Sequence, residues 1–314
     1  MLTLETISNP VTSARVSVRP PHDFGLYAKL GLSEHEGPLP FFWSKGLWSS
    51  LVETGDSLLP VQVTERMTRG GHYLQVSFYE DIDSRDLASA VDMISRAFCA
   101  DIDLNRFYLE TAIDEKLCFF SSELRGLKPH LSLSPYEALI KAIIRQLVRA
   151  AFARESISLL VREFGRKRKL GQQVFYGFPT PAALAKAKKS DLLRCKVGFK
   201  WRLIRQISQD VACGDLDLDD LLRRPDEEDT RILEDYPGIG YWTSRIFLYD
   251  GLKRLNSYPI QDISLRRAVS ELYFGGRTIS WAEVDTFFET WREWTGILVT
   301  YMFGYLWLKR LGRL

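Results

Sequence analysis

The first hundred residues alternate between apolar and polar positions, a pattern typical of strands with one buried face. The runs 61–64 (VQVT) and 73–78 (YLQVSF) flank Gly70-Gly71 and predict an antiparallel hairpin. The run 16–19 (VSVR) predicts another strand. After Asp83, apolar residues at positions 87, 91, 94 and 98 share one helical face. We therefore predict a small α+β unit.

From about residue 105 the apolar positions recur at helical spacing. Ser134 and Thr180 are each followed by a proline, which predicts a capped helix start at both places. Later helices are predicted over 227–235, 241–251, 263–273, 281–291 and 295–311. We predict an α+β fold: an N-terminal α+β domain (residues 1–115) with a small antiparallel sheet, then an all-α region (residues 116–314).

Charge is unevenly distributed along the chain, although the formal net charge is only +2. Residues 141–169 carry nine Lys or Arg against two Glu, whereas residues 210–235 carry eleven acids against three Arg. A basic face of this kind suits nucleic acid. The alternative is a set of solvated helix faces whose charges mix in space.

The cysteines and the hydropathy exclude several protein classes. The four cysteines are far apart, without metal-ligand or iron–sulfur spacing, so we expect free thiols in a reducing compartment. No stretch of about twenty residues is apolar and uncharged, and the first residues do not resemble a secretory signal. We expect a monomer without a membrane span, in the cytoplasm (nucleoid-associated) or the nucleus.

The most specific local signal is the run Pro237-Gly238-Ile239-Gly240 between two predicted helices. We expect Gly238 and Gly240 to adopt backbone angles that a side chain would forbid, in a turn that another backbone can approach closely. The N–H groups from Tyr241 onward would then face outward, where they suit an anion such as a DNA phosphate. A simple corner between two helices is the alternative.

The run 233–243 (LEDYPGIGYWT) resembles the helix-hairpin-helix motif of DNA glycosylases, which would span about residues 227–251. Within that superfamily (HhH-GPD) the chain most resembles the AlkA type, the 3-methyladenine DNA glycosylases of broad alkyl-base specificity. The resemblance also rests on PPHDF (20–24), RQLV (145–148), FPTP (178–181), GFK (198–200), PIQD (259–262) and WREW (291–294). In RQLV, Arg145 stands where that type has glycine.

The resemblance implies a role for each matched residue. It implies DNA-phosphate contacts at Gly238, Gly240, Tyr241 and Thr243, and intercalation into duplex DNA by Leu147 with Gln146. It implies base-pocket walls at Trp242 and Phe303. It also implies a monovalent cation, Na⁺ or K⁺, on the backbone carbonyls of Glu234, Tyr236 and Ile239, with no cofactor required. For Leu147 a core position is the alternative.

Asp262 is the catalytic carboxylate that the resemblance implies. It precedes the periodic stretch that begins at Ile263, so a helix N-cap is its plain structural role, and the two roles are compatible. An ionised carboxylate near C1′ stabilises the oxocarbenium character of the sugar. Bifunctional members carry a lysine in the second hairpin helix, but Trp242 occupies that position and no lysine lies between Asp235 and Leu252.

The resemblance therefore implies a monofunctional glycosylase that flips alkylated purines, 3-methyladenine-like or 7-methylguanine-like, out of double-stranded DNA. The pocket departs from the type, because Leu30, Ile246 and Ile263 stand where aromatic residues are usual. Another lesion (hypoxanthine, 1-methyladenine or 8-oxoguanine) is one alternative. A catalytically inactive DNA-binding hairpin module and a helical protein with an incidental turn are the others.

Overall fold

The computed structural model describes residues 9–30, 40–44, 46–55, 57–69, 71–223 and 230–313. The first strands are β1 (Thr12–Ser17), β2 (Phe41–Ser44), β3 (Leu47–Thr54), β4 (Ser57–Thr68) and β5 (Gly71–Phe78). They form one antiparallel sheet in the order β1-β5-β4-β3-β2. The predicted hairpin is confirmed, since β4 pairs with β5 and Thr68 lies opposite Gly71.

Helices dominate the remainder, which confirms the α+β class. Those that follow the sheet are α2 (Ser84–Ala97), α3 (Asn105–Thr111) and α4 (Glu115–Glu123), while α1 (Gly25–Lys29) precedes β2. The central helices are α5 (Pro135–Arg145), α6 (Ala150–Phe164), α7 (Pro181–Ala185), α8 (Lys189–Arg194), α9 (Trp201–Cys213), α10 (Leu218–Arg223), α11 (Thr230–Glu234) and α12 (Tyr241–Asp250). The last are α13 (Ile263–Tyr273), α14 (Trp281–Thr290) and α15 (Thr295–Arg310). The helix predicted from residue 227 begins outside the described residues.

The predicted helix starts are confirmed by their caps. The Ser134 hydroxyl accepts a hydrogen bond from the Glu137 N–H (3.2 Å), and the Thr180 hydroxyl accepts one from the Ala183 N–H (3.2 Å). Proline occupies the first turn of both helices. Each cap satisfies an otherwise unpaired amide and stabilises its helix by about 0.5–2 kcal/mol.

Buried apolar side chains form two hydrophobic cores. The first core joins the sheet and α2–α4 to α13–α15, which are distant in sequence. The second core is built from α5–α12. The chain thus leaves the first core after Leu133 and returns to it at Leu265. The chain therefore crosses between the two cores twice, just before α5 and between α12 and α13.

A second antiparallel hairpin, β6 (Lys167–Leu170) with β7 (Gln173–Tyr176), interrupts the helical region without a signal that we detected in the sequence. The basic run ends within β6, and Arg166 and Arg168 pair with acids in the first sheet or just after it. Arg166 Nη1 lies 2.5 Å from Glu53 Oε1, and Arg168 binds both oxygens of Glu80 at 2.8 and 2.9 Å. The basic excess of residues 141–169 is thus partly neutralised by acids distant in sequence.

No helix in the described part of the chain is long and apolar enough to cross a membrane. All four cysteines are free thiols, as the sequence predicts.

His22, Glu65 and His72 form a hydrogen-bonded cluster that ties the loop before α1 to the sheet. His22 Nδ1 and His72 Nε2 each lie 2.7 Å from Glu65 Oε1, and the Phe24 N–H donates to Glu65 Oε2 (3.0 Å). Burial lowers the pKa of His22. Burial opposes ionisation of Glu65, but the hydrogen bonds from both histidines and Phe24 lower its pKa overall.

We predict that this cluster makes the protein sensitive to acid. The unfolded chain takes up protons at ordinary pKa values, about 6.5 for His and about 4.3 for Glu, whereas the folded protein resists until lower pH. Stability is therefore full above about pH 6.5 and is lost as pH falls through the lowered pKa values. Glu65→Gln should cost about 1.5–3 kcal/mol at pH 7, and less at pH 4, in urea unfolding. The exposed Glu123→Gln is the control; a pH-independent cost of Glu65→Gln contradicts the prediction.

Candidate active site

The hairpin joins α11 to α12 through a turn whose two glycines differ. Gly238 has φ +102°, and a Cβ there would lie 3.2 Å from Leu203 Cδ2. Gly240 has φ −114° and ψ −177°, which any residue adopts, and a Cβ there would meet nothing within 4 Å. The expectation of a special backbone conformation is confirmed for Gly238 and wrong for Gly240. Gly240 instead leaves open space at the start of α12.

The N-terminus of α12 presents unpaired amides beside that space. No side chain caps the helix, and the N–H groups of Tyr241 and Trp242 have no acceptor among the described residues. The N–H groups of Thr243 and Ser244 donate to the Gly240 carbonyl at 2.9 and 3.1 Å. Tyr241 is exposed and Thr243 is buried. The free amides are therefore those of residues 241 and 242.

Gln146, which follows α5, is hydrogen-bonded to the hairpin. Its Nε2 donates to the Gly238 carbonyl and to Thr243 Oγ1, both at 2.8 Å. These two bonds connect the C-terminus of α5 to both sides of the turn. Gln146, which the resemblance assigns to DNA intercalation, thus has its Nε2 engaged within the protein, and its carboxamide oxygen is left for other contacts.

Leu147 projects into solvent immediately after Gln146. Its exposed fraction is 94 %, so the alternative of a core leucine is wrong. Its φ of +55° lies in the left-handed region, which costs a non-glycine residue about 1–2 kcal/mol. Such strain persists where the surrounding structure holds the residue in place, and it is concentrated at functional sites.

Lys200 stabilises this strained segment through two hydrogen bonds. Its buried Nζ donates to the Ile144 carbonyl (2.7 Å) and to the Gln146 carbonyl (2.6 Å), on either side of Arg145. Burial lowers the pKa of Lys200. The ammonium group therefore satisfies carbonyls that the end of α5 leaves unpaired. The only hint in the sequence is the loose GFK match at 198–200.

Asp262 caps α13 and contacts Trp242. Its Oδ1 accepts a hydrogen bond from the Leu265 N–H (2.9 Å), which confirms the N-cap. Its Oδ2 accepts one from Trp242 Nε1 (2.8 Å). Two residues that the sequence singled out separately are thus brought together: Trp242 belongs to α12, a helix of the second core, and Asp262 caps α13, a helix of the first core. The carboxylate is half-buried, and its orientation is fixed by both donors.

Three aromatic side chains, those of Phe303, Tyr258 and Tyr249, pack in a row. Phe303 is half-buried, with its ring centroid 6.4 Å from that of Tyr258. Tyr258 in turn packs edge-on against Tyr249 at 5.3 Å. Ile246 is buried, whereas Ile263 is 60 % exposed beside Asp262. Of Ile246 and Ile263, only Ile263 therefore presents an exposed apolar side chain, and it directly follows Asp262 in the sequence.

One group of potential metal ligands lies outside this site. The ligand atoms of His22, Glu65 and His72 lie within 4.8 Å of one another in the sheet of the first core. The same atoms make the hydrogen bonds described above, and His22 Nε2 is buried without a partner. A metal on Nδ1 would make that Nε2 an unsatisfied buried donor, so the group fits a hydrogen-bonded cluster better.

Residues 140–293 match the sequence profile of the HhH-GPD superfamily base excision DNA repair proteins, and they contain the hairpin, Trp242 and Asp262. The chain therefore contains an HhH-GPD domain over these residues. The recognition from sequence is confirmed, and with it the general activity of a DNA glycosylase in base excision repair.

Relatives match the chain along almost its whole length. A DNA-3-methyladenine glycosylase of Bacillus subtilis (strain 168) is 24% identical over 292 residues, which cover 91% of this chain and 94% of that protein. A 3-methyladenine DNA-glycosylase from Archaeoglobus fulgidus is similar in structure, with a TM-score of 0.81 at 25% identity over 93% of this chain and 98% of that one. An 8-oxoguanine glycosylase/lyase of Clostridium acetobutylicum, bound to DNA, has a TM-score of 0.71 at 18% identity, over 98% of this chain and 99% of that one. That last likeness shows a common fold.

We predict that the two hairpin glycines respond differently to alanine. Gly240→Ala should leave thermal stability unchanged, because its Cβ meets no protein atom, but should weaken duplex binding about tenfold by blocking the approach of a DNA backbone. Gly238→Ala should lower stability by about 1–3 kcal/mol, because alanine is strained at its φ. Thermal unfolding and fluorescence anisotropy measure the two effects. Full DNA affinity in Gly240→Ala contradicts the prediction.

We also predict that Lys200 supports the exposed Leu147. Lys200→Met removes two charge-assisted hydrogen bonds, so excision in a single turnover should fall at least about tenfold, and stability should fall by about 1.5–3 kcal/mol. Lys200→Arg should recover part of both. The exposed Lys196, which pairs with Glu155, provides the control Lys196→Met. Excision at the wild-type rate by folded Lys200→Met would show that the strained segment does not need this lysine.

Proposed function

We propose that this chain is a monofunctional DNA glycosylase that flips alkylated purines, 3-methyladenine-like or 7-methylguanine-like, out of duplex DNA and hydrolyses their N-glycosidic bond. The observation that carries the proposal is the Asp262 carboxylate, which is oriented by Trp242 Nε1 and the Leu265 N–H at the junction of the two cores. The names of the relatives in Bacillus subtilis and Archaeoglobus fulgidus support the substrate class.

Asp262 acts on the sugar of the flipped nucleotide. As the C1′–N bond breaks, positive charge develops on C1′ and the ring oxygen, and a fixed carboxylate stabilises it without having to reorganise. Each carboxylate oxygen accepts one protein hydrogen bond and retains a lone pair. Asp262 then orients the attacking water or accepts its proton, while the purine leaves with the bonding electron pair.

The absence of a lysine from the second hairpin helix supports a monofunctional reaction. Trp242 occupies the position of the Schiff-base lysine, and no lysine lies between Asp235 and Leu252. Water is then the nucleophile, and the DNA strand stays intact with an abasic site.

Leu147 and the hairpin supply the DNA contacts. An exposed, strained leucine at the tip of a turn suits insertion into the space that the flipped base vacates, with Gln146 beside it. The free amides of Tyr241 and Trp242 suit a phosphate, and the open space at Gly240 admits the DNA backbone.

A monovalent cation fits the donor chemistry of the turn. The Tyr236 carbonyl accepts one hydrogen bond, from the Ile239 N–H (2.9 Å), and keeps a second lone pair. Together with the carbonyls of Glu234 and Ile239 it would hold Na⁺ or K⁺, whose charge would add to the attraction for a phosphate.

We predict that Asp262→Asn binds damaged duplex with wild-type affinity but loses at least about a thousandfold in excision, because the neutral amide no longer stabilises the developing cation. Trp242→Phe should show a smaller loss, about 10–100-fold, since it removes one hydrogen bond to a charged group. The measurement is single-turnover excision from duplexes carrying 3-methyladenine, 7-methylguanine or hypoxanthine, read out by alkaline cleavage at the abasic site.

Borohydride trapping with the same duplexes is the control for the reaction type. The wild-type protein should give no covalent adduct, and strands should break only after the alkaline step. A trapped adduct contradicts the monofunctional reaction, and wild-type excision by Asp262→Asn contradicts the assignment of the carboxylate.

A further inference from the structure

Arg96 binds both segments in which the chain crosses between the two cores. It lies near the C-terminus of α2, in the first core, and its side chain is half-buried. Its Nη2 donates to the Ser132 carbonyl (3.2 Å) and the Leu133 carbonyl (2.7 Å), which belong to the first crossing, just before α5. Its Nη1 donates to the Gly251 carbonyl (2.6 Å), at the start of the second crossing. One guanidinium group thus fixes both crossings to the same helix.

A buried carboxylate adds a second connection between the crossings. Asp250 is the last residue of α12, and it accepts hydrogen bonds from the Ser132 N–H (2.7 Å) and the Ser132 hydroxyl (2.8 Å). Lys141 Nζ in turn donates to the Ser132 hydroxyl oxygen (2.7 Å). Breaking such bonds leaves a buried charge or carbonyl without a partner, which is costly. The C-terminus of α12 is therefore fixed to the first crossing by Asp250 and to α2 by Arg96.

Helix α15 of the first core packs against α12 at Tyr249, close to the same C-terminus. A Cβ on Gly296 would lie 2.6 Å from Tyr249 Cε2 and would clash with the Leu255 carbonyl oxygen, so the two helices approach closely there. The Tyr249 hydroxyl lies 3.2 Å from Thr300 Oγ1, one turn further along α15. Helix α12 thus contacts the first core at two neighbouring places, the packing contact at Tyr249 and the hydrogen bond at Gly251.

The opposite end of α12 carries Trp242, whose Nε1 donates to Asp262 Oδ2 (2.8 Å). Trp242 lies two turns from Tyr249, about 10 Å along the helix axis. A tilt of α12 by about 6° around the Tyr249 contact would therefore move Trp242 by about 1 Å. Asp262 would not follow, because it caps α13, a helix of the first core. A displacement of about 1 Å distorts the hydrogen bond and can lower a reaction rate by up to about a hundredfold.

We infer that Arg96 is a positioning residue for the reaction. By fixing the C-terminus of α12 to α2, it prevents this tilt and keeps Trp242 Nε1 on the Asp262 carboxylate at the other end of the helix. The inference rests on the proposed function of Asp262. It also limits the size of the effect: because Arg96 acts through the Trp242–Asp262 hydrogen bond, its loss cannot slow excision more than the loss of that bond does.

Single-turnover excision at saturating protein, measured together with duplex affinity, tests this inference. The variants are Arg96→Met, Arg96→Lys and the control Arg85→Met, an exposed arginine on the same helix. On the damaged duplex that the wild type excises fastest, Arg96→Met should lower the rate by about tenfold and leave the affinity unchanged. Arg96→Lys keeps a charged donor for the carbonyls and should recover part of the rate, whereas Arg85→Met should equal the wild type. Circular dichroism gives the folded fraction to which each rate is referred.

A double-mutant cycle with Trp242→Phe identifies how the effect is transmitted. Arg96→Met added to Trp242→Phe should lower the rate by less than about twofold further, because the bond that Arg96 supports is already absent. Losses that multiply in the double variant show another route and overturn the inference. If Arg96→Met does not fold, the same cycle with Arg96→Lys decides: its smaller loss should likewise disappear in the Trp242→Phe background, and multiplied losses overturn the inference.

The same measurements separate the failure of this inference from that of the proposed function. Excision at the wild-type rate by folded Arg96→Met, in a wild type that Asp262→Asn inactivates, overturns the inference alone. A wild-type protein that excises no damaged base, or an Asp262→Asn variant that excises at the wild-type rate, overturns the proposed function and the inference with it.

Discussion

The hydrogen bond from Trp242 to Asp262 joins the two hydrophobic cores at the point where the chemistry is proposed to occur. The donor lies in the first turn of α12, and the acceptor caps α13, so the carboxylate is fixed only when both cores are assembled. The neighbouring features attach to the same helix: Gln146 binds the turn before α12, and Lys200 binds the segment that carries Gln146. A single connected set of polar contacts thus sets the geometry of the carboxylate, the hairpin and the exposed leucine relative to one another.

The features that the sequence predicted are those whose physical cause is local. The caps at Ser134, Thr180 and Asp262 each depend on a side chain and an amide three residues away, and all three are present. The tight turn depends on Gly238, whose positive φ requires glycine. The periodicity of 263–273 gives the bounds of α13. Local chemistry of this kind leaves a pattern in the residues themselves, which is why it was accessible before the structure.

The supporting contacts could not be predicted, because their partners are far apart in sequence. The Lys200 ammonium finds carbonyls more than fifty residues away, and Gln146 finds a carbonyl more than ninety residues away; a carbonyl has no side-chain identity that a sequence could reveal. The charge count of residues 141–169 has the same limitation, because it does not include acidic partners that are distant in sequence. Arg166 and Arg168 count as excess charge along the chain, yet in space they face Glu53 and Glu80. A charge count along the sequence describes the charge of a surface only where the counted residues form no ion pairs with distant parts of the chain.

The division of the first core between the two ends of the described chain has a consequence for the order in which the molecule is assembled. During synthesis the sheet and α2–α4 emerge from the ribosome long before α13–α15, with the whole second core made in between. Apolar faces of the sheet and of α2–α4 later contact Leu265, Leu298 and Tyr301. These faces therefore remain exposed to solvent at a stage when the hairpin helices already have their packing partners. Contacts that close so large a loop form slowly and leave apolar surface open to aggregation meanwhile. Asp262, the proposed catalytic carboxylate, caps the first of these late helices, so we expect it to gain its fixed position only after the hairpin helices have packed.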